Sequence, residues 1–208
     1  MNFSAFLERI KNLLFFPAYE WKVIAVESTV YQAMTCPEFL HSRLISPIAI
    51  AEFWACLLYV RHELDIDAYR FTFPLIRAAF YVIIQVLTII LSAYFITGMA
   101  RKFKSVRNYA RSLKLVIYSF TPFILIAALG NLVMLNRNPA LSFILLLPGI
   151  YGLILFGKGL SPMLNTHPAK RPAFVIIFLI SVLGILFILT GLFNTVTGIV
   201  FPGALPQL

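Results

Sequence analysis

Acidic residues are absent from most of this chain: none follows Asp67, so every charged residue between 68 and 208 is basic. Charge of either sign is scarce as well, because charged residues make up 12% of the sequence while hydrophobic residues make up 61%. Soluble domains average about 25% charged and roughly 45–50% apolar residues. A soluble fold of this size could not bury so much apolar surface, so the composition indicates a membrane protein.

Residues that carry metal or catalytic chemistry are also few. The two cysteines, Cys36 and Cys56, form no Cys-x-x-Cys pattern, and the three histidines match no metal-ligand spacing. The chain has no Gly-x-Ser-x-Gly, His-Glu-x-x-His or Walker-type motif, and Glu52 is the only carboxylate inside a long apolar run. We therefore predict a protein that has no metal, no cofactor and no enzymatic activity.

The net charge of +9 does not indicate nucleic-acid binding, because the basic residues lie in short segments between apolar runs and no zinc-finger or RNA-stacking motif occurs. No cleavable signal peptide is predicted either. Charged residues interrupt the first twenty positions, and Leu13–Phe16 is too short for the apolar part of such a peptide. The positive charge is better explained by the orientation of a membrane protein.

Five apolar runs are candidates for transmembrane helices, which need about 20 residues to cross a hydrocarbon core of about 30 Å. The runs cover residues 44–60, 73–100, 113–135, 140–160 and 172–193. Helices are predicted because an open sheet in lipid would leave backbone groups unpaired. The expected fold is all-α, with a compact five-span membrane domain over 44–208 and an N-terminal segment over 1–43.

Basic residues alternate between the predicted links and orient the chain by the positive-inside rule. The link between the second and third spans carries a cluster of Arg101, Lys102, Lys104, Arg107, Arg111 and Lys114. Lys170 and Arg171 lie in the link between the fourth and fifth spans, on the same predicted side, and further basic residues precede the first span. The N-terminus is therefore predicted to be cytoplasmic and the C-terminus to lie outside.

An amphipathic helix is predicted near the N-terminus. Apolar side chains recur there at helical spacing, at Phe3, Phe6, Leu7, Ile10, Leu13 and Leu14. The helix is too short and too charged to span, and it is expected to stop before Pro17, which can open a second short helix that carries Trp21. It is predicted to lie along the cytoplasmic interface or against cytoplasmic loops, as an anchor or as a docking segment for a partner.

Polar side chains inside the predicted spans are functional candidates, because ionisable groups are costly in lipid. They are Glu52, Arg77, Gln85 and Asn131. Glu52 and Arg77 allow a structural ion pair or a relay for protons or substrate, while buried amides commonly join one helix to another. Together with kinks expected at Pro122 and Pro148, they leave a small transporter or channel as the alternative function. Proton or cation flux in liposomes, compared between the unaltered chain and Glu52→Gln, tests that alternative.

Small residues in the fourth and fifth spans predict close helix packing, because they let backbones approach each other. They are Gly149, Gly152, Ser181, Gly184 and Gly191.

Two segments resemble the Yip family of small membrane proteins, which is named for interaction with Ypt/Rab GTPases. The first is Leu113–Pro122, in which Tyr118, Ser119 and Pro122 form a Tyr-Ser-x-x-Pro pattern. The second is Gly149–Leu164, whose motif residues are Tyr151, Gly157, Gly159 and Leu160. The earlier Phe16-Pro17…Trp21…Glu27 pattern resembles the N-terminal segment of the bacterial branch of the family.

The resemblance implies a compact bundle of five spans with a cytoplasmic N-terminus, in a bacterial inner membrane. Eukaryotic relatives bind Rab GTPases through a cytoplasmic N-terminal region, but this chain lacks the acidic Asp-Leu-Tyr-Gly-Pro-type motif of that region, which puts GTPase binding in doubt. We predict a non-enzymatic membrane protein that scaffolds or regulates a membrane complex or membrane organisation. Its cytoplasmic face is expected to meet membrane lipids, a membrane-protein partner or a second copy of the chain.

Overall fold

The computed structural model describes residues 3–26, 54, 72–132 and 146–200. Its helices are α1 (Phe3–Phe15), α2 (Pro17–Val26), α3 (Thr72–Met99), α4 (Tyr109–Leu132), α5 (Leu146–Leu164) and α6 (Arg171–Val200). Two short 3-10 helices, Ala100–Phe103 and Pro168–Lys170, lie in the links after α3 and α5. The all-α prediction is confirmed for the described part of the chain, in which no strand occurs.

Four of the five predicted spans fall on the helices α3 to α6. Among the described residues, three stretches are long and apolar enough to cross a membrane, namely Leu75–Phe103, Leu147–Leu164 and Pro168–Ile199. The helix α4 covers most of the predicted third span, and of the predicted first span, residues 44–60, the structure describes Trp54 alone. The protein is therefore a helical membrane protein, and the count of five spans stays a prediction.

Among the described helices, the most extensive contact joins α4 to α5. The two helices run antiparallel, because Leu115 lies against Gly159 while Ser119, further along α4, lies against Gly152. A Cβ at Gly152 would lie only 2.6 Å from the carbonyl oxygen of Ser119, so the missing side chain is what permits this approach. Small residues allow such backbone contact between membrane helices.

The predicted close contact at Gly152 is thus confirmed, whereas those at Gly184 and Gly191 are wrong. Among the residues that the structure describes, a Cβ on either of these α6 glycines would meet no atom within 4 Å. The physical reason is that the glycines face away from the neighbouring helices, and both are exposed. A glycine in an apolar run therefore marks a helix contact only when it falls on the packed face.

An aromatic cluster fixes α6 against α4, α5 and the link after α3. Phe103 stacks on Phe174 with ring centroids 4.4 Å apart, and Phe156 stacks on Phe178 at 3.9 Å. Phe120 meets Phe178 edge-on at 6.1 Å. Such pairs contribute roughly 0.5–1.5 kcal/mol each beyond the area they bury. The cluster therefore ties the link after α3 and three helices into one packed unit.

The outer face of α6 carries large apolar side chains that are exposed in the described part of the chain. Ile180, Phe187 and Ile199 are among them. Hydrocarbon chains are as apolar as these side chains, so lipid exposure costs little there. An exposed apolar face of this kind is expected on a helix that contacts the bilayer.

Candidate functional site at the basic end of the bundle

The links after α3 and α5 meet at one end of the bundle, which we call the basic end (residues 100–108 and 165–170). The backbone N–H of Val106 donates to the carbonyl of Leu164 at 2.8 Å. The hydroxyls of Ser105 and Thr166 are hydrogen-bonded at 2.8 Å. Because these bonds join the two links directly, the basic end is a single surface rather than two separate loops.

Local backbone chemistry shapes both links. Lys104 ends the first 3-10 helix in a left-handed conformation with φ of 53°, and Asn165 ends α5 with φ of 52°. Asparagine adopts this region more readily than most residues. The side chain of Asn108 then caps α4, because its Oδ1 accepts a hydrogen bond from the backbone N–H of Arg111 at 3.1 Å. The tight turns bring the ends of α3 and α4 together.

Four of the six cations predicted for headgroup contact are exposed at the basic end: Arg101, Lys102, Lys104 and Arg107. The other two differ, because Arg111 is partly buried and Lys114 is buried within the protein. Lys114 lies one turn into α4, on the side that packs against other helices, and so it does not belong to the exposed surface.

Cations from the second link join this surface. The ammonium group of Lys170 donates to the carbonyl of Lys102 at 3.1 Å. The guanidinium of Arg171 donates to the hydroxyl of Ser161 at 3.0 Å and to the carbonyl of Thr166 at 3.4 Å. The structure therefore brings together the two basic clusters that the charge pattern assigned to the same side of the membrane.

The helices α1 and α2 are docked against α4 and α5 beside the basic end. Trp21 is fully buried and meets Tyr118 edge-on, with ring centroids 6.1 Å apart. Room for the indole exists because position 159 is glycine: a Cβ there would lie 2.8 Å from Trp21 and 2.4 Å from Leu115. The indole N–H has no hydrogen-bond acceptor among the described residues, so packing rather than polar contact holds this side chain.

A largely buried ion pair joins α1 to α2. The guanidinium of Arg9 on α1 lies 3.3 Å from the carboxylate of Glu20 on α2, and the two side chains are 19% and 5% exposed. Arg9 also donates to the hydroxyl of Tyr118 on α4 at 3.3 Å. Because a charge in a dry environment is costly unless it is paired, this arrangement fixes both helices relative to α4.

A second polar contact holds the corner between α1 and α2. The hydroxyl of Tyr151 on α5 donates to the backbone carbonyl of Leu14 near the end of α1. Carbonyls at a helix end lack partners within the helix, so a side-chain donor satisfies one of them. The corner is therefore attached to α5 as well as to α4.

Three of the residues that carry the family resemblance also hold α1 and α2. Tyr118 contacts Arg9 and Trp21, Tyr151 contacts Leu14, and Gly159 accommodates Trp21. The backbone of Ser119 lies against Gly152. The hydroxyl of Ser119 donates a hydrogen bond to the carbonyl of Leu115 at 2.6 Å. Pro122 lies inside α4, Leu160 is fully buried, and Gly157 lies against Val175 of α6. Tyr118, Tyr151 and Gly159 therefore form one docking site for the N-terminal helices.

The polar residues predicted inside the spans are not assembled into a site by the described structure. Gln85 is buried on α3, and Arg77 is partly buried near the start of that helix. Asn131 lies on α4 near its end, and Glu52 lies outside the described residues. The pairing of Glu52 with Arg77, and any transport path through them, therefore stays a prediction.

Sequence reasoning missed Arg9 and Glu20 as functional partners. Arg9 falls on the polar side of the predicted N-terminal amphipathic helix, and the sequence pattern gives Glu20 no role. A signal was nevertheless present, because Glu20 directly precedes Trp21 in a helix of mostly apolar residues. A carboxylate in such a segment indicates either an exposed face or a buried partner, and only the packing decides between them.

One known protein family matches the part of the chain that contains these motif residues. The Yip1 domain matches this chain over residues 11–192. The chain belongs to the Yip1 family. The match confirms the resemblance, and it begins within α1, so it includes α2 and the docking site as well as the spans. The family consists of non-enzymatic membrane proteins whose members interact with membrane-associated partners. No curated protein and no solved structure gives a significant match to the chain.

Proposed function

We propose that this Yip1-family protein is a non-enzymatic scaffold of a bacterial cytoplasmic membrane, and that its basic end faces the cytoplasm and binds anionic lipid headgroups or an acidic partner held at the same surface. The observation that carries this proposal is the joining of two basic links into one surface with exposed Arg101, Lys102, Lys104 and Arg107. The five-span topology and the orientation belong to the same proposal and rest on the alternation of charge along the chain.

The electrostatics of the basic end call for an anionic partner. The only carboxylates among the described residues are Glu8 and Glu20, and Glu20 is already paired with Arg9. Exposed cations that are held close together repel one another unless anions lie nearby. A basic residue near an anionic membrane surface contributes about 1 kcal/mol of attraction. Lipid headgroups next to the spans would supply the missing counter-charge over the whole surface.

We expect the triple change Arg101→Glu, Lys102→Glu and Lys104→Glu to remove most of the anionic lipid that stays with the protein. Native mass spectrometry of the protein in nanodiscs of mixed neutral and anionic lipid measures the lipid retained. The matched control is Arg101→Lys, Lys102→Arg and Lys104→Arg, which keeps the charge and should keep the lipid. Equal retention by the charge-reversed and charge-preserving variants would contradict binding at this surface.

The scaffold role has its own readout in native membranes. A protein that co-purifies in stoichiometric amount with the unaltered chain and with the charge-preserving variant, but not with the charge-reversed variant, would support a scaffold that uses the basic end. Recovery of all three forms alone or as a homo-oligomer would contradict the scaffold role and leave lipid handling as the function.

A further inference from the structure

The corner between α1 and α2 lies far from the basic end, measured along α5. Tyr151, which donates to the carbonyl of Leu14, precedes Leu164 at the end of α5 by thirteen residues. That separation corresponds to about 20 Å along a helix. Lys158, the last exposed cation on α5, is seven residues beyond Tyr151, or about 10 Å away. The corner therefore lies well beyond the level at which α5 carries charge.

The contacts of the two helices agree on the direction in which they run. Trp21 lies against Gly159 and Leu115 near the basic end, while Leu14 lies at Tyr151, closer to the other end of α5. The chain therefore runs along α1 away from the basic end, turns at the corner, and returns along α2 toward the basic end. A helix lying flat on the membrane interface would not follow α5 in this way.

The surface of the corner is apolar. Phe15, Phe16 and Tyr19 are 71%, 62% and 67% exposed. The nearest exposed cations on α1 and α2 are Lys11 and Lys22, each about one and a half turns from the corner toward the basic end. Long basic side chains at such positions can extend their ammonium groups toward the headgroups while their stems stay in apolar surroundings.

The backbone at the corner is adapted to a medium without water. The carbonyl of Asn12 accepts from the N–H of Phe16, and the carbonyl of Phe16 accepts from the N–H groups of Tyr19 and Glu20. The Leu14 carbonyl accepts the hydroxyl of Tyr151. Pro17 has no N–H that would need a partner. Backbone groups in the hydrocarbon region must be satisfied within the protein, and most of those at this corner are.

We propose that α1 and α2 form a re-entrant hairpin whose corner, formed by Phe15, Phe16 and Tyr19, inserts among the lipid acyl chains of the leaflet on the basic side. The hairpin enters and leaves on one side of the membrane, and the site for Trp21 and the Arg9–Glu20 pair holds it against α4 and α5. The acyl chains are the occupant because the neighbouring exposed residues of α5 at this level, Ile150 and Ile154, are also apolar. This inference is independent of what binds the cations of the basic end.

Spin labels at single cysteines test the depth of the corner. In a Cys36→Ser, Cys56→Ser background, Phe16→Cys is labelled in the full-length protein in liposomes, and collisions with oxygen and with a water-soluble nickel chelate are measured. The reference for acyl-chain contact is Ile150→Cys, which lies on α5 next to Tyr151 and is 56% exposed. The reference for the headgroup region and the water next to it is Arg107→Cys at the basic end, which is exposed. Phe15→Cys and Tyr19→Cys provide independent positions on the same corner if one variant does not fold.

The expected result is frequent collision with oxygen and little with the chelate at Phe16, matching Ile150 and opposite to Arg107. Chelate collisions as frequent as those at Arg107 would place the corner in water or at the headgroups and overturn the proposal. Protection from both reagents would also overturn it, because the corner would then be covered by protein, either another segment or a second copy of the chain.

Discussion

Replacing Gly152 with alanine is expected to lower the free energy of unfolding by about 3 kcal/mol, at the upper end of what extra methyl groups cost in packed interiors. The added Cβ would lie 2.6 Å from the carbonyl oxygen of Ser119, and a backbone atom cannot move aside as the end of a flexible side chain can. Relief of the clash requires α4 and α5 to separate along their most extensive contact. Reversible unfolding of the purified protein in mixed detergent micelles measures the loss.

The control for this change is Gly184→Ala on α6. The new Cβ would meet no atom of the described part of the chain within 4 Å, so we expect only the backbone preference of the residue to change. Alanine is favoured over glycine in a helix by roughly 0.5–1 kcal/mol, so this variant should be as stable as the unaltered protein or slightly more stable. Equal destabilisation by both variants would show that glycine loss in general, and not the contact with Ser119, sets the stability.

Removing the buried carboxylate by Glu20→Ala is expected to weaken the docking of α1 and α2 by about 3 kcal/mol. Breaking a buried ion pair from one side costs roughly 3–5 kcal/mol, and the lower end applies here because Arg9 is 19% exposed and keeps its bond to Tyr118. The hairpin should then open more often, and trypsin should cleave within residues 9–22 faster than in the unaltered protein.

Two variants separate the ion pair from a general effect of charge. Glu8→Ala removes an exposed carboxylate from α1 and should leave cleavage unchanged. The double variant Arg9→Met, Glu20→Leu replaces the pair with apolar side chains of similar size and should recover much of the protection, because no unpaired charge remains. If the double variant were cleaved as fast as Glu20→Ala, the account of an unpaired buried charge would be wrong.

The spans could be predicted from the sequence because a span is indicated by the apolar composition of about 20 consecutive residues. The predicted run 73–100 and the helix Thr72–Met99 differ by one residue at each end. The break between α1 and α2 at Pro17 was also predictable, since proline disfavours helical geometry at the residue before it and suits the first position of a helix. These features depend on neighbours in sequence, which a single chain shows directly.

The docking site was not predictable in the same way, because it depends on contacts between distant residues. Gly159 belongs to the family motif, but hydropathy and spacing alone do not distinguish it from Gly184, whose Cβ would meet no atom of the described residues within 4 Å. The charge pattern groups Lys114 with the surface cations. At its position one turn inside α4, however, the side chain is buried within the protein. The resemblance marked Tyr118 and Tyr151 without a role, and the structure supplies one: they attach the N-terminal helices.

The most direct test of the account is the environment of Trp21 in the Trp54→Phe variant, where it is the single tryptophan. Because its side chain is fully buried between α4 and α5, its fluorescence should resist quenching both by an aqueous quencher and by brominated lipid. Gly159→Ala, which removes the space for the indole, should make it accessible to one of them. Efficient quenching of Trp21 by lipid or by water in the unaltered fold would contradict a docked hairpin and indicate a helix lying on the membrane surface.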